Sequence, residues 1–136
     1  MEDEVSKILK SIKKKEIRTH SQIKNAINAA LDDIYGDFMC YKNNEMNKKM
    51  ALLDLDGFEI VPIDNIHKGD TIMYFRTKYF FNIQHNHGTA INILKNERLS
   101  VRVKGDIKHI KCKYYFRKLT EEDNVKISLI EAIYDC

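Results

Sequence analysis

Apolar residues recur along this chain at two different periods, and the change falls near residue 57. In the first third they return every three and four positions, the spacing of a helix that buries one face. Val5, Ile8, Leu9 and Ile12 form such a stripe, closed by Lys13, Lys14 and Lys15, cations that suit a helix C-terminus; a first helix is predicted over about residues 3–15. Thr19 with Gln22 has the spacing of a capping box. Ile23, Ala26, Ile27, Ala30, Leu31 and Ile34 then line one face of a second helix, and Gly36 stands where a left-handed C-cap belongs. A shorter third helix is predicted over about 44–53, with Met46, Met50 and Leu53 on one side.

Beyond Gly57 the pattern turns to short runs of β-branched and aromatic residues broken by Gly, Asn and Asp. The runs are 58–61, 71–75, 79–84, 89–94, 99–103 and 110–117, and this spacing predicts a small antiparallel barrel or a curled sheet. His67 to Asp70, and Lys104 to Asp106, carry turn chemistry, because Gly69 and Gly105 supply positive φ and each Asp can bond its own backbone. Ile107 lies three residues before Ile110, which breaks the alternation and predicts a bulge or a long hairpin loop there. Thr120 followed by Glu121, Glu122 and Asp123 reads as a capped helix start, with Val125, Leu129, Ile130 and Ile133 as the apolar face; a strand over 125–130 competes with it. The fold class is α+β: a helical region over 1–56, then a sheet domain with a short C-terminal helix over 57–136.

Charge is concentrated in the sheet region. Residues 95–118 hold nine of the 23 basic residues against Glu97 and Asp106, a local net of +7 in a chain of net +3. A strand's side chains alternate between faces. If Leu99, Val101 and Val103 face inward, then Arg98, Ser100, Arg102 and Lys104 face out. In the next run Ile110, Cys112, Tyr114 and Phe116 are set against Lys111, Lys113, Tyr115 and Arg117, with Lys108 just before them. The expected site is one cationic sheet face in which Arg98, Arg102, Lys104, Lys108, Lys111, Lys113 and Arg117 hold phosphates of DNA or RNA and Tyr115 stacks on a base. The bland alternative is that lysines on an edge strand merely block aggregation.

Size and composition fit one small domain or two very small ones, with 43% hydrophobic residues in 136. No apolar run approaches the roughly 18 residues of a membrane span, and the N-terminus lacks the order of a secretion signal, so an intracellular chain is expected, cytoplasmic or nuclear. Abundant Lys, Ile and Asn match an AT-rich genome, as in some viruses, whose replication or packaging compartment is a further possible location. Cys40, Cys112 and Cys136 are odd in number and widely spaced, which indicates neither a disulfide framework nor a zinc module.

Three apparent motifs carry little. Asp54, Asp56 and Gly57 imitate a phosphotransfer loop whose family needs a longer α/β domain, and a helix end with a turn accounts for them better. His85 and His87 project to one side of a strand, but no third ligand is fixed, so no metal is assigned. Cys112 and His109 fall on opposite faces of a regular strand, which separates a thiol from its base. The chain is therefore read as non-catalytic and without a cofactor.

Thr19, Ile23, Lys24, the pair Tyr35 and Gly36, the pair Asp37 and Phe38, and Lys42 with Lys48 and Lys49 follow a further pattern. Over about residues 3–52 it resembles the helical C-terminal domain of the DEK chromatin protein and its relatives. That resemblance implies a three-helix DNA-binding piece, whereas four basic against six acidic residues over 19–57 fit a protein-docking or dimerising bundle at least as well. The alternative function is a structural or adaptor subunit of a virion or multiprotein assembly, with homo-oligomerisation through the helices, whose basic face docks an acidic protein surface. The acidic segment after Leu119 is itself a candidate to cover that face.

Overall fold

Two reciprocal caps start two of the helices. Thr19 Oγ1 accepts from the Gln22 amide at 3.2 Å while the Thr19 amide donates to Gln22 Oε1 at 3.0 Å, which completes the capping box of α1 (His20–Tyr35). Thr120 and Asp123 exchange the same bonds at 3.1 and 2.9 Å ahead of α3 (Glu121–Tyr134). Helix therefore replaces the competing strand over 125–130. The phase of α3 differs from the expected one, since Ile127 and Ile130 are buried while Val125 is exposed. The computed structural model describes residues 19–134, so the helix predicted over 3–15 lies outside the described residues.

The described residues divide into two compact units, one of 19–25 with 119–134 and one of Ala26–Lys118. Within the first, the backbone amide and the ring Nδ1 of His20 both meet Glu131 Oε1, at 2.9 and 2.7 Å. Within the second, α1 is followed by a 3-10 turn (Gly36–Phe38) and by α2 (Asn44–Asp54).

The buried side of α2 is not the expected one. Met46, Met50 and Leu53 are exposed, and Asn44 and Ala51 face inward. The cause is polar: the Asn44 side chain is fully buried, its Nδ2 donates to the carbonyls of Phe38 and Phe81 at 2.7 and 2.9 Å, and its Oδ1 accepts from the Ile83 amide at 2.9 Å. Those three bonds fix the rotation of the helix, because an amide buried without them is costly.

The strands are β1 (Phe58–Val61), β2 (Thr71–Lys78), β3 (Asn82–Ile93), β4 (Leu99–Val103), β5 (Asp106–Ile110) and β6 (Tyr115–Lys118), in one antiparallel sheet of order β1-β6-β2-β3-β4-β5. The sheet is not closed into a barrel. It is nevertheless strongly curled. Laid flat, the sheet would separate β6 from β5 by about 19 Å, yet the Tyr115 hydroxyl of β6 reaches the Ile110 carbonyl of β5 at 3.4 Å, over an apolar cluster that includes Val61, Ile72, Tyr74 and Val101. Gly88 permits the bend: a Cβ there would lie 3.1 Å from Val103 Cγ2 and 3.2 Å from the Arg102 carbonyl oxygen.

Three details differ from the sequence reading. The runs 79–84 and 89–94 belong to the single long β3, with Tyr79–Phe81 as its turn from β2. The bulge lies between Ala90 and Asn92, whereas Ile107 sits in a regular β5 after a tight hairpin turn in which Lys104 and Gly105 both take positive φ, 50° and 87°. The expected strand 110–117 is interrupted over 111–114.

The other face of the sheet packs on the end of α1. Tyr35 meets Phe75 edge-on at 6.0 Å, Phe75 meets Phe116 at 5.5 Å, and the Tyr35 hydroxyl donates to the Ile83 carbonyl at 3.3 Å. Both faces of β2 and β6 are therefore buried, which is why Ile72, Met73 and Tyr74, and again Tyr115 and Phe116, are buried consecutively.

Burial pushes the Tyr35 phenol from its ordinary 10.0 up to about 12. The fold accepts only the neutral phenol, so this contribution is complete below pH 10 and is lost as pH rises through the folded value, at up to about 1.4 kcal/mol per pH unit. Burial raises Tyr74 and Tyr115 in the same direction. Urea unfolding of Tyr35→Phe should accordingly show a shallower loss of stability between pH 10 and 12 than the parent.

Candidate nucleic-acid interface

The curl leaves a seam between the end of β2 and the end of β5, and cations gather there. Phe75, Arg76 and Thr77 form one wall of a cleft of about 540 Å³, and residues 108–112 form the other, bringing Lys108, His109 and Lys111 opposite Arg76. A recess of about 250 Å³ shares Arg76, Lys111 and Cys112 with it and adds Phe38, Lys113 and Tyr114 among others. Among the described residues no carboxylate lines either space. Arg76, Lys108 and Lys111 are all exposed.

Strand alternation and one hydroxyl set this geometry. Arg76 follows Ile72 and Tyr74 on the inner face of β2, at the rim where the core ends. Across the seam, the Tyr115 hydroxyl accepts from the Cys112 amide at 3.0 Å and reaches the Ile110 carbonyl at 3.4 Å, which pins the turn that carries Lys111. The Cys112 thiol lies 3.8 Å from the Phe75 carbonyl; burial pushes its pKa up while Arg76 opposes the shift, so it stays a protonated thiol at neutral pH.

The cations expected to share one face do not do so. Val101 stands opposite Lys108 and Arg102 opposite Ile107, and directly opposed residues project to the same side, so Lys108 and Arg102 emerge from opposite faces. Arg98, Arg102 and Lys104 are exposed but line neither space. Lys113 Nζ lies 2.6 Å from Asp33 Oδ2, and the Tyr114 hydroxyl donates to the same oxygen at 2.8 Å. These bonds, Lys113 first and Tyr114 second, hold the Asp33 carboxyl below the usual range and raise Lys113.

Two expected site residues are corrected outright. Tyr115 is 4% exposed and belongs to the core, so it offers no ring to a base. Arg117 is mostly buried and forms an ion pair with Glu59, its direct cross-strand neighbour. Their shared misplacement has one cause: the interruption over 111–114 ends the alternation that linked them to Lys111 and Lys113. Arg76 falls outside the predicted run 71–75 because 76–78 is polar, although Arg76 continues the even-numbered face of Ile72 and Tyr74 in a strand that runs to Lys78.

Elsewhere, His85 Nε2 bonds Asp54 Oδ2 at 2.7 Å, and Asp54 ends α2 ahead of Gly57, which turns at φ 85°. Among the described residues no three His, Cys, Asp or Glu side chains are grouped to hold a metal ion, and no helix is long and apolar enough to cross a membrane.

Arg117→Ser should lower stability by about 2 kcal/mol or more, because it leaves Glu59 largely buried without its partner. Replacing both, as Arg117→Met with Glu59→Leu, should recover most of that loss in urea unfolding. Tyr115→Phe keeps the ring but strands the Cys112 amide, and should cost about 1 to 3 kcal/mol. Faster hydrogen exchange at Cys112 would mark the loosened turn.

No protein-family model matches the chain, and no curated protein or solved structure is significantly similar to it.

Proposed function

We propose that this chain is a non-catalytic nucleic-acid-binding protein whose grip on the phosphate backbone comes from Arg76, Lys108 and Lys111. The observation that carries this reading is the convergence of three exposed cations on one cleft with no carboxylate in its wall among the described residues. A cleft with low-dielectric walls focuses the field of such a group, so a polyanion meets more potential there than on an open face. Each phosphate seated would release condensed counterions, which supplies affinity without reading sequence. Lys113, already engaged by Asp33, has a lesser part.

One observation favours a second reading. The exposed row of Met46, Met50 and Leu53 on α2 is spaced at i, i+4 and i+7, the spacing of a helix face that docks on a protein. A structural or adaptor subunit would use that row to dock on a partner or on a second copy, with the cations meeting an acidic surface.

Fluorescence anisotropy with labelled 30-nucleotide strands and duplexes separates the two. Three phosphate contacts predict a log affinity that falls against log salt with a slope of about −2 to −3. Arg76→Ser with Lys108→Ser and Lys111→Ser should abolish binding at about 50 mM salt and change stability by no more than roughly 0.5 kcal/mol per site. Arg98→Ser with Arg102→Ser should have a much smaller effect. Absence of binding by the parent protein at that salt would sink the proposal.

A further inference from the structure

The hairpin between β2 and β3 ends in exposed aromatic side chains held in a costly conformation. Phe80 and Phe81 both take left-handed backbone angles, φ 57° and 55°, a region that Gly or Asn enters with little strain and bulky residues rarely do. Phe80 is 89% exposed, so core packing does not account for its ring. Strain of this kind persists where the surroundings over-determine the backbone, and it concentrates at binding sites. Here the surroundings are visible: Asn44 Nδ2 grips the Phe81 carbonyl, and Asn47 Nδ2 bonds Asn82 Oδ1 at 2.5 Å and the Ile83 carbonyl at 3.1 Å.

Behind Phe80 lies an ordered aromatic shelf. Phe38 and Phe81 stack at 5.5 Å with planes 17° apart, and Tyr41 lies 4.9 Å from Phe81. Phe38 also lines the recess that contains Arg76, Lys111 and Lys113. The shelf and the cationic cleft are therefore one continuous surface, with cations at one end and aromatic rings at the other.

We infer that the aromatic shelf of Phe38, Tyr41, Phe80 and Phe81 stacks unpaired bases, so that the cleft takes a single strand in preference to a duplex. The inference rests on the nucleic-acid reading of the cleft. Phosphates on Arg76 and Lys111 place the bases of the same strand toward Phe38 and its neighbours. A single strand presents the π-face of each base to such rings, while a duplex keeps those faces stacked inside and gains only the backbone contacts. Cations joined to a shelf of rings are the combination that sequence-tolerant single-strand binding requires. The aliphatic row on α2 lacks it.

The test compares a labelled 30-nucleotide oligothymidylate with a labelled duplex of equal length, using the full chain and its variants Phe80→Asn and Phe80→Tyr. Asn accepts the left-handed backbone and removes the ring; Tyr keeps the ring. Phe80→Asn should weaken single-strand binding by at least about 5-fold, the lower end of stacking contributions, leave duplex binding unchanged, and keep or raise the parent's thermal midpoint, because Asn relieves the left-handed strain. Phe80→Tyr should restore single-strand binding to within about 2-fold of the parent, since a second aromatic ring stacks comparably. Equal affinity of the parent for both probes, or no effect of Phe80→Asn, overturns the shelf while leaving the cleft intact. Binding of neither probe overturns the cleft and the shelf together.

Discussion

The Tyr115 hydroxyl decides where the basic segment of this chain ends up. β5 lies at one edge of the sheet and β6 near the other, and only residues 111–114 carry the chain across the seam between them. A crossing that short leaves backbone groups beside the core with no strand to pair with, and buried groups of that kind must find a partner. Tyr115 supplies it from within the core, meeting the Cys112 amide and the Ile110 carbonyl with one oxygen. Lys111 sits between those two anchored residues. Its side chain is consequently directed at the seam, where Arg76 arrives from β2.

Burial of the sheet on both sides shapes the rest. The concave face closes over its own apolar cluster, and the convex face of β2 and β6 is covered by Tyr35 and the aromatic residues beside it. With both faces occupied, polar chemistry is displaced to the ends of strands and to the turns. Asn44 is the exception that proves informative, since a fully buried amide with three backbone partners ties the turn after α1 to the turn after β2. The aromatic shelf is thus held in part by backbone bonds, and Tyr41, Phe80 and Phe81 remain exposed.

Much of the fold was legible in the sequence, and far less of the site. Reciprocal caps at Thr19 and Thr120 are local chemistry, complete within four residues, and both form as read. The bounds of β1 and β4 follow equally from local pattern. Tyr115 and Arg117 failed because alternation was carried across a turn that contains no Gly or Pro to announce it. The α2 face failed for a different reason. Met46, Met50 and Leu53 have the right spacing for burial, but the helix rotates to satisfy Asn44, and only the distant carbonyl of Phe81 explains why.

Counting cations over 95–118 overstates what a ligand meets. Arg117 is spent on Glu59, Lys113 shares its charge with Asp33, and Arg102 emerges on the face opposite to Lys108. What remains at the seam is Lys108 and Lys111, and the field there becomes directional only because Arg76, from outside the basic segment, joins them. Among the described residues, none of these three has a carboxylate within ion-pair distance. On the proposed reading, three cations confined in a cleft act on one short stretch of backbone, whereas seven spread along a sheet face would bind any polyanion loosely. Selectivity between kinds of nucleic acid then comes from what adjoins the cleft, and the surface that adjoins it is aromatic.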